Sequence, residues 1–142
     1  MSEATAKRNA RIVASLDSLR TAVALFDEND VLIYHNEQYP RTYQSFHGDE
    51  TLIGRKFSDL LRDKLGNGEI AGSLALDDPE KWIADRIARR QNAKSGPTEV
   101  QLTDGRWIQV SERLTDSGDT IGVYQDITRQ KKSDYKLHDM VA

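Results

Sequence analysis

The side chains that most often do chemistry are few in this sequence and lie far apart along it. Its three histidines are His35, His47 and His138, which fall at a strand end, in a loop and in the tail. Protein ligands of structural zinc sites usually recur at short, regular spacings, which these positions lack. A serine or threonine nucleophile needs a histidine partner, and none is placed for that role. The pattern therefore predicts no metal site and no enzyme activity.

Carboxylates and glycines are plentiful, but their placement favours structural roles. Asp77 and Asp78 precede a strong helical segment, where an aspartate caps the helix. Asp77 and Glu80 have the capping-box spacing, so we expect Asp77 to be the cap. The glycine-dense loop 66–72 lacks the Gly-Lys-Ser/Thr sequence of a phosphate-binding loop. The chain has no cysteine, which excludes disulfides, thiolate ligands and thiol-linked chromophores.

The composition describes one folded domain. The 142 residues suffice for a single domain with its own core. A net charge of −3, from 20 basic and 23 acidic side chains, gives no general attraction for nucleic acid. No apolar run approaches the ~20 residues of a membrane span, and the N-terminus lacks the apolar stretch of a secretory signal. We therefore expect a cytoplasmic domain without a membrane span or a nucleic-acid partner.

Helical spacing predicts a polar helix at the N-terminus and a stronger helix in the middle of the chain. The first 20 residues are polar except for a narrow apolar stripe that includes Ile12, Leu16 and Leu19. Such a stripe fits either packing on the same domain or pairing with a second copy. The segment 79–92 begins with a proline, which suits a first helical turn. Its arginines are predicted to lie on a solvated face.

Alternating apolar residues predict antiparallel strands near the start and over the last third of the chain. Two apolar runs between residues 22 and 34 flank a turn of Asp and Asn residues, which indicates a β-hairpin. An Asp-Gly turn joins the next two strands. Ile108 and Val110 then face inward, which leaves Trp107 on the outer face. A tryptophan there needs a cover, and we expect the N-terminal helix of the same or a partner chain to supply it.

Four segments in this order resemble a PAS domain over about residues 16–130. "ALFDENDVLIYHN" resembles the opening hairpin with its terminal asparagine, and "LIGRKFSDLL" resembles the stretch before the short central helix. "DGRWIQVSERLTDSGDTIGVYQDIT" resembles the last two strands and ends in the DIT triplet that closes such domains. The resemblance implies an α+β fold with a five-stranded antiparallel sheet in the order 2-1-5-4-3 and helices on one face. It divides the chain into an N-terminal flanking (dimerisation) helix over 1–20, a core over 21–126 and the start of a signalling helix over 127–142.

The resemblance also implies a function. Such a domain is a sensory module that forms a homodimer through its flanking helices and relays a signal to an output domain, such as a histidine kinase or a nucleotide or diguanylate cyclase. Two alternatives remain open: a constitutive dimerisation or docking domain without a ligand, and a cofactor-bearing sensor of redox state, light or gas. The absence of cysteine separates the chain from the light-oxygen-voltage type.

A pocket between the sheet and the helices is the expected binding site. Its candidate walls are apolar side chains that equally well fill a core: Phe26, Ile33, Phe57, Leu61, Ile83, Ile87, Ile108, Val110 and Val123. The cofactor stays open between none, a small molecule and a flavin. Haem is disfavoured because the long helix has no histidine.

The last strand leads into the tail helix with almost no loop between them. Asp126 is expected to accept hydrogen bonds from the first N–H groups of that helix, and Thr128 to do the same one register later. A joint without slack would pass a shift of the strand to the helix. We therefore predict that Asp126, Ile127 and Thr128 relay the signal.

Overall fold

The computed structural model describes residues 2–49, 51–92 and 96–141, with the side chains of 135–141 outside the described part. Within these ranges a sheet is flanked by helices. In chain order the elements are α1 (Glu3–Asp17), β1 (Ala22–Phe26), β2 (Leu32–His35), α2 (Gln38–Thr42), a 3-10 turn (Gln44–Phe46), α3 (Phe57–Gly66), α4 (Ser73–Asp77), α5 (Pro79–Gln91), β3 (Thr98–Gln101), β4 (Trp107–Leu114), β5 (Thr120–Asp126) and α6 (Thr128–Val141).

The five strands form one antiparallel sheet in the order β2-β1-β5-β4-β3. This order confirms the predicted sheet. The longest strands, β4 and β5, lie next to each other in the middle and pair over seven positions from Ile108↔Asp126 to Leu114↔Thr120. The core lies between the inner face of this sheet and helices α2, α3 and α5, because the apolar sides of both layers meet there.

The inner face of β5 differs from the prediction. The inward side chain is Tyr124, which lies opposite Val110, whereas Val123 lies opposite Ser111 on the outer face. Gly122 makes room for the tyrosine, because a Cβ at residue 122 would lie 2.9 Å from the ring. The assignment of Val123 to the inner pocket is therefore wrong.

Ile33 is also wrongly placed among the pocket residues. A bulge between Leu25 and Phe26 shifts the register of β1 against β2. Leu32 consequently enters the core with no exposed surface, while Ile33 is 44% exposed. A single register shift is enough to move a side chain to the other face, since strand side chains alternate.

The strong helix α5 begins one residue later than its predicted cap implies. Asp78 is the N-cap, and its carboxylate accepts a hydrogen bond from the Lys81 N–H at 3.2 Å. Asp77 is instead the last residue of the short helix α4. The prediction that Asp77 caps the helix was wrong, because α4 ends directly against α5 and uses that position.

Helix α1 has no buried residue. Ile12 is 51% exposed and Leu19 is 46% exposed, while Leu16 is half-buried. The ring of Trp107 lies under Lys131 of α6, whose Nζ is 4.8 Å from the ring centroid. The expected cover of Trp107 within one chain therefore comes from the C-terminal helix rather than from α1.

Candidate functional site

A void of about 10 Å³ lies between α3, α5 and the inner face of the sheet. A space of this size holds about one water molecule. Three predicted walls line it, namely Phe57, Leu61 and Val110. The other residues around it are Tyr43, Lys64, Ile70, Trp82, Arg86, Val100 and Tyr124. The sequence-based prediction thus found three apolar residues of this wall and missed three others, Ile70, Trp82 and Val100, together with its charged and phenolic residues.

The remaining predicted walls fill other places. Phe26 and Ile108 have no exposed surface and pack in the core. Ile83 is buried and also lines a surface groove of about 670 Å³ next to α4. Ile87 is partly buried and packs against the core. Each of these positions is consistent with ordinary core packing, which was the alternative interpretation of the same residues.

Lys64 lies inside the core on the apolar side of α3. It follows Phe57, Leu60 and Leu61 at helical spacing and is 4% exposed. Its Nζ is 3.7 Å from the ring centroid of Tyr43, a contact that favours a cation. Among the described residues it forms no ion pair. Burial, with a smaller contribution from the nearby Arg86 charge, lowers the pKa of Lys64 to about 7.

Glu69 is the nearby carboxylate that would be expected to neutralise Lys64, but it is occupied elsewhere. It is 6% exposed. Its oxygens accept hydrogen bonds from the Gln44 N–H at 2.6 Å, the Ser45 N–H at 3.0 Å and the Ser45 hydroxyl at 2.5 Å. These three bonds fix the turn that follows α2. Glu69 therefore binds the backbone of this turn, and its negative charge is still close enough to raise the pKa of Lys64, against the larger effect of burial.

A buried ion network joins α5 to the sheet. Arg86 donates to Glu112 at 2.8 Å, and Arg90 donates to the other oxygen of Glu112 and to Asp30 at 2.9 Å. The side chains of Arg86, Arg90 and Glu112 are 6%, 3% and 7% exposed. The prediction that the arginines of α5 lie on a solvated face was wrong for Arg86 and Arg90, whereas Arg89 is exposed as predicted. The spacing of Arg86 and Arg90 from Ile83 is i+3 and i+7, which is the inward side of the helix.

Aromatic rings complete the inner wall. The guanidinium of Arg90 lies 3.7 Å from the ring centroid of Phe57. The rings of Tyr39 and Tyr124 are 5.1 Å apart. Burial raises the pKa of Tyr39 and Tyr43 well above the usual value of 10. The Tyr124 hydroxyl is buried and interacts with the Tyr39 hydroxyl, but it is not fully hydrogen-bonded to a described group.

These residues do not fit a large cofactor in the conformation observed. A flavin ring system or a haem is many times larger than a void that holds one water molecule. Among the side chains that the structure describes, no histidine lines the void. The arrangement instead offers a buried amine, a guanidinium and a phenol to a very small molecule.

The histidines lie closer together than their spacing implied. His35 and His47 line one surface hollow of about 720 Å³. Each ring also contacts a backbone carbonyl, His35 that of Asn36 at 2.9 Å and His47 that of Arg41 at 3.0 Å. Across the described ranges, no group of three or more potential ligands is positioned to hold a metal ion. The side chain of His138 lies outside the described residues.

The junction between β5 and α6 is tied to the neighbouring strand. The Asp126 carboxylate accepts hydrogen bonds from the Thr128 N–H at 2.9 Å and from the Thr128 hydroxyl at 2.5 Å. The same hydroxyl accepts one from the Trp107 N–H at 2.9 Å. The Ile127 N–H donates to the Trp107 carbonyl at 2.9 Å. Thr128 thus fastens the helix to β4, instead of capping the helix one register later as predicted.

The pKa of Lys64 leads to a prediction about pH. Between about pH 7 and pH 10 the unfolded chain binds a proton at this lysine that the folded chain does not, so stability should rise with pH in this window. We expect a rise of about 1 kcal/mol per pH unit from this residue. The free energy of unfolding in urea, followed by tryptophan fluorescence at pH 7, 8 and 9, measures it.

The control for this prediction is a pair of lysine substitutions. Lys64→Met should flatten the pH dependence, whereas Lys81→Met, at an exposed helical site with an exposed ion pair, should leave it unchanged. Measurements should stay below pH 10, because ionisation of the tyrosines in the unfolded chain opposes the trend above it. Equal slopes for wild type and Lys64→Met would contradict the prediction.

Comparison with known proteins identifies the same fold. A family model described as "PAS fold" matches residues 16–135, well over half of the chain. The PAS domain of BvgS from Bordetella pertussis is 17% identical with a TM-score of 0.54, over 98% of this chain and 96% of that domain. The PAS domain of an HTR-like protein from Haloarcula marismortui is 11% identical with a TM-score of 0.52, over 88% of this chain and 96% of that one.

An RNA-binding light-oxygen-voltage receptor is also similar, at 18% identity and a TM-score of 0.54. The match covers 96% of this chain and 38% of the receptor, so this chain spans well under half of that protein. No curated protein matches the chain. Within the described part of the chain, no helix is long and apolar enough to cross a membrane.

Proposed function

The chain belongs to the PAS fold family, and from this membership we propose that it is a cytoplasmic, non-catalytic sensory module that acts on an attached output domain. The proposal assigns residues 1–20 to a dimerisation helix, 21–126 to the sensing core and 127–142 to the start of a signalling helix. A histidine kinase or a nucleotide cyclase is the kind of output that suits it.

The β5–α6 junction is the observation that carries the proposal. Tyr124 lines the inner void and lies only two residues before Asp126 on the same strand. From Asp126 the hydrogen bonds run directly into the first turn of α6 and across to β4. A displacement of Tyr124 would therefore reach the helix through paired backbone rather than through a loop.

The junction is tested by measuring how firmly it holds α6. The chain has no cysteine, so spin labels attach only at introduced cysteines, here Arg113→Cys on β4 and Lys132→Cys on α6. We expect a narrow distance distribution between these labels in otherwise wild-type protein. Asp126→Ala should broaden it, because the helix loses its N-terminal acceptor, and should cost about 1 kcal/mol of stability. Double electron–electron resonance on protein diluted with unlabelled chain measures the distribution.

The matched control is Asp116→Ala, which removes an exposed aspartate from the turn between β4 and β5. It should leave the distribution narrow. A distribution that stays equally narrow in Asp126→Ala would show that the carboxylate does not hold the helix, and the relay role of the junction would be abandoned.

Dimerisation through α1 is the second part of the proposal. Ile12 and Val13 of α1 are 51% and 42% exposed, and Leu19, two residues beyond the end of the helix, is 46% exposed, which leaves an apolar stripe for a partner copy. Half-buried Leu16 is also assigned to this contact, as is Trp107 on the outer face of the sheet, although Lys131 of the same chain already lies over one part of its ring. We expect Ile12→Glu to raise the dimer dissociation constant at least about tenfold, equivalent to 1.4 kcal/mol. Light scattering coupled to size exclusion, over a concentration series, measures the change.

The control for the dimer is Ala10→Glu, which adds the same charge on the opposite side of α1. It should leave the dissociation constant within about twofold. A protein that is monomeric throughout the series, or a dimer that both variants weaken equally, would contradict pairing along this stripe.

The small size of the void favours one alternative function. A core with space for about one water also suits a constitutive dimerisation or docking domain that binds no ligand. Native mass spectrometry of the dimer separates the two functions, because a sensor with a retained ligand carries additional non-covalent mass. Absorption of the same preparation tests for a flavin or haem cofactor.

A further inference from the structure

The Lys64 amine lies in the core without the partners that usually accompany a buried cation. Buried charges in proteins are normally paired and hydrogen-bonded, yet no ion pair or hydrogen bond joins this amine to a described residue. Its nearest contacts are the faces of Tyr43 and Phe46, at 3.7 Å and 5.3 Å from the ring centroids. Burial without an ion pair outweighs the attraction of the ring faces for a cation, so the amine is readily deprotonated, and a neutral amine is a nucleophile.

We propose that Lys64 is a modification site at which carbon dioxide adds reversibly to the side-chain amine to form a carbamate. As a sensory input this inference rests on the proposed function. As a chemical modification it stands independently of the relay, and it is tested independently below.

The reaction needs no other reagent. The nitrogen lone pair of Lys64 attacks the carbon of carbon dioxide and forms an N–C bond. One C–O π pair moves to oxygen, and a proton leaves the nitrogen for solvent. The products are R–NH–COO⁻ and H⁺, so a neutral side chain becomes an anion. Loss of carbon dioxide after reprotonation of the nitrogen reverses the step.

The size of the void selects a small electrophile. The space beside Lys64 holds about one water molecule, so aldehydes and keto acids of metabolic size do not fit, and even the three heavy atoms of the added carboxylate require the neighbouring side chains to move apart. Tyr124 lines the same void, and its buried hydroxyl interacts with the Tyr39 hydroxyl but is not fully hydrogen-bonded to a described group. It is therefore available to donate to a carbamate oxygen.

Some of the charges around the site stabilise the carbamate anion and others destabilise it. Arg86 lines the void, and its positive charge is the largest electrostatic influence on Lys64 after burial. Glu69 and Glu112 oppose it, although Glu112 is bound by two arginines and Glu69 by three hydrogen-bond donors. Arg90 adds a second positive charge from the same helix. The carbamate thus forms beside the guanidinium, where an anion is favoured.

Neutrality of the amine determines how much of it reacts. Lys64 has a pKa of about 7, so about half of it is neutral at pH 7. A lysine with the ordinary pKa of about 10.4 is neutral in roughly one molecule of 2,500 at that pH. Lys64 should therefore react about a thousandfold more extensively than an ordinary exposed lysine at equal intrinsic reactivity.

The experiment traps the carbamate on the complete chain. Protein is equilibrated at pH 7.4 with ¹³C-labelled bicarbonate and carbon dioxide, and a trialkyloxonium reagent then converts carbamates to stable esters. We expect peptide mapping by mass spectrometry to place the labelled ester on Lys64, in large excess over every other lysine. A ¹³C carbamate resonance in the untrapped sample should accompany it and disappear when carbon dioxide is removed.

Two substitutions make the result decisive. Lys64→Arg keeps a cation but cannot form this carbamate, so the ester and the resonance should be lost. Lys81→Arg, at an exposed site, should retain both. Labelling confined to the N-terminal amine or spread evenly over exposed lysines would overturn the proposal, even if Lys64→Arg failed to fold. If no carbamate formed on Lys64 while the spin-label distance between β4 and α6 stayed narrow, carbon dioxide would be excluded as the input. The proposed relay through the β5–α6 junction would still hold.

Discussion

Replacing Glu112 with glutamine is expected to lower the free energy of unfolding by about 3–5 kcal/mol. The carboxylate lies between two buried guanidinium groups, those of Arg86 and Arg90. Glutamine keeps the size of the side chain but removes its charge. Arg90 would retain Asp30, which is 37% exposed, while Arg86 would lose its ion-pair partner inside the core. An uncompensated buried charge is among the costliest defects a single substitution produces.

The control is Glu80→Gln, which makes the same chemical change at an exposed ion pair. Glu80 contacts Arg62 at 3.3 Å with side chains that are 71% and 48% exposed, so its loss should cost less than about 1 kcal/mol. Urea unfolding of both variants at pH 7 measures the difference. Equal costs would mean that water reaches the arginines and that the network is not a closed part of the core.

Replacing Asn36 with leucine is expected to cost about 3–4 kcal/mol, because three hydrogen bonds are lost in a buried site. Asn36 has no exposed surface. Its oxygen accepts from the Val23 N–H at 2.9 Å, and its amide donates to the carbonyls of Leu16 at 3.1 Å and Thr21 at 2.9 Å. Leucine matches asparagine in size, so the loss measures polar groups rather than a cavity.

This substitution also has a local consequence. The bond to the Leu16 carbonyl connects the end of α1 to the β1–β2 hairpin. Backbone amides of α1 should therefore exchange faster with solvent in Asn36→Leu than in wild type. The control is Asn29→Leu, in the exposed hairpin turn. It should change the free energy of unfolding by less than about 0.5 kcal/mol and leave amide exchange in α1 unchanged. Unchanged exchange in α1 would show that Asn36 does not hold that helix.

The Glu112 ion network and Tyr124 both act on β5. Glu112 lies opposite Gly122 on β5, and Tyr124 covers Gly122 from the inner side. A displacement of Tyr124 at the void therefore acts on β5 between Gly122, which lies opposite the ion-paired Glu112, and Asp126 at the junction to α6. This geometry suits a domain in which a small chemical event in the core alters the position of a helix.

The sequence by itself determined the order of the elements and the family. Short-range rules were sufficient for this, because turns such as Asp104-Gly105 and the alternation of Ile108 and Val110 depend on neighbouring residues. The family motifs also marked Asn36 and the DIT triplet before their contacts were known. Both proved to be points where backbone groups from separate elements share one side chain.

The tertiary structure alone decided which charged side chains enter the core. Lys64, Arg86 and Arg90 lie at inward helical positions, but their charge indicated solvent because a buried cation is unfavourable unless other elements compensate it. For the two arginines that compensation comes from Glu112 on β4 and from the ring face of Phe57 on α3, whereas Lys64 lies over the Tyr43 ring without an ion pair to a described residue and is readily deprotonated. No local pattern reveals either arrangement. In the same way, Tyr124 rather than Val123 faces inward because the strands paired with β5 fix its register. The fold therefore follows from local pattern, whereas the chemistry of its interior depends on contacts between residues distant in sequence.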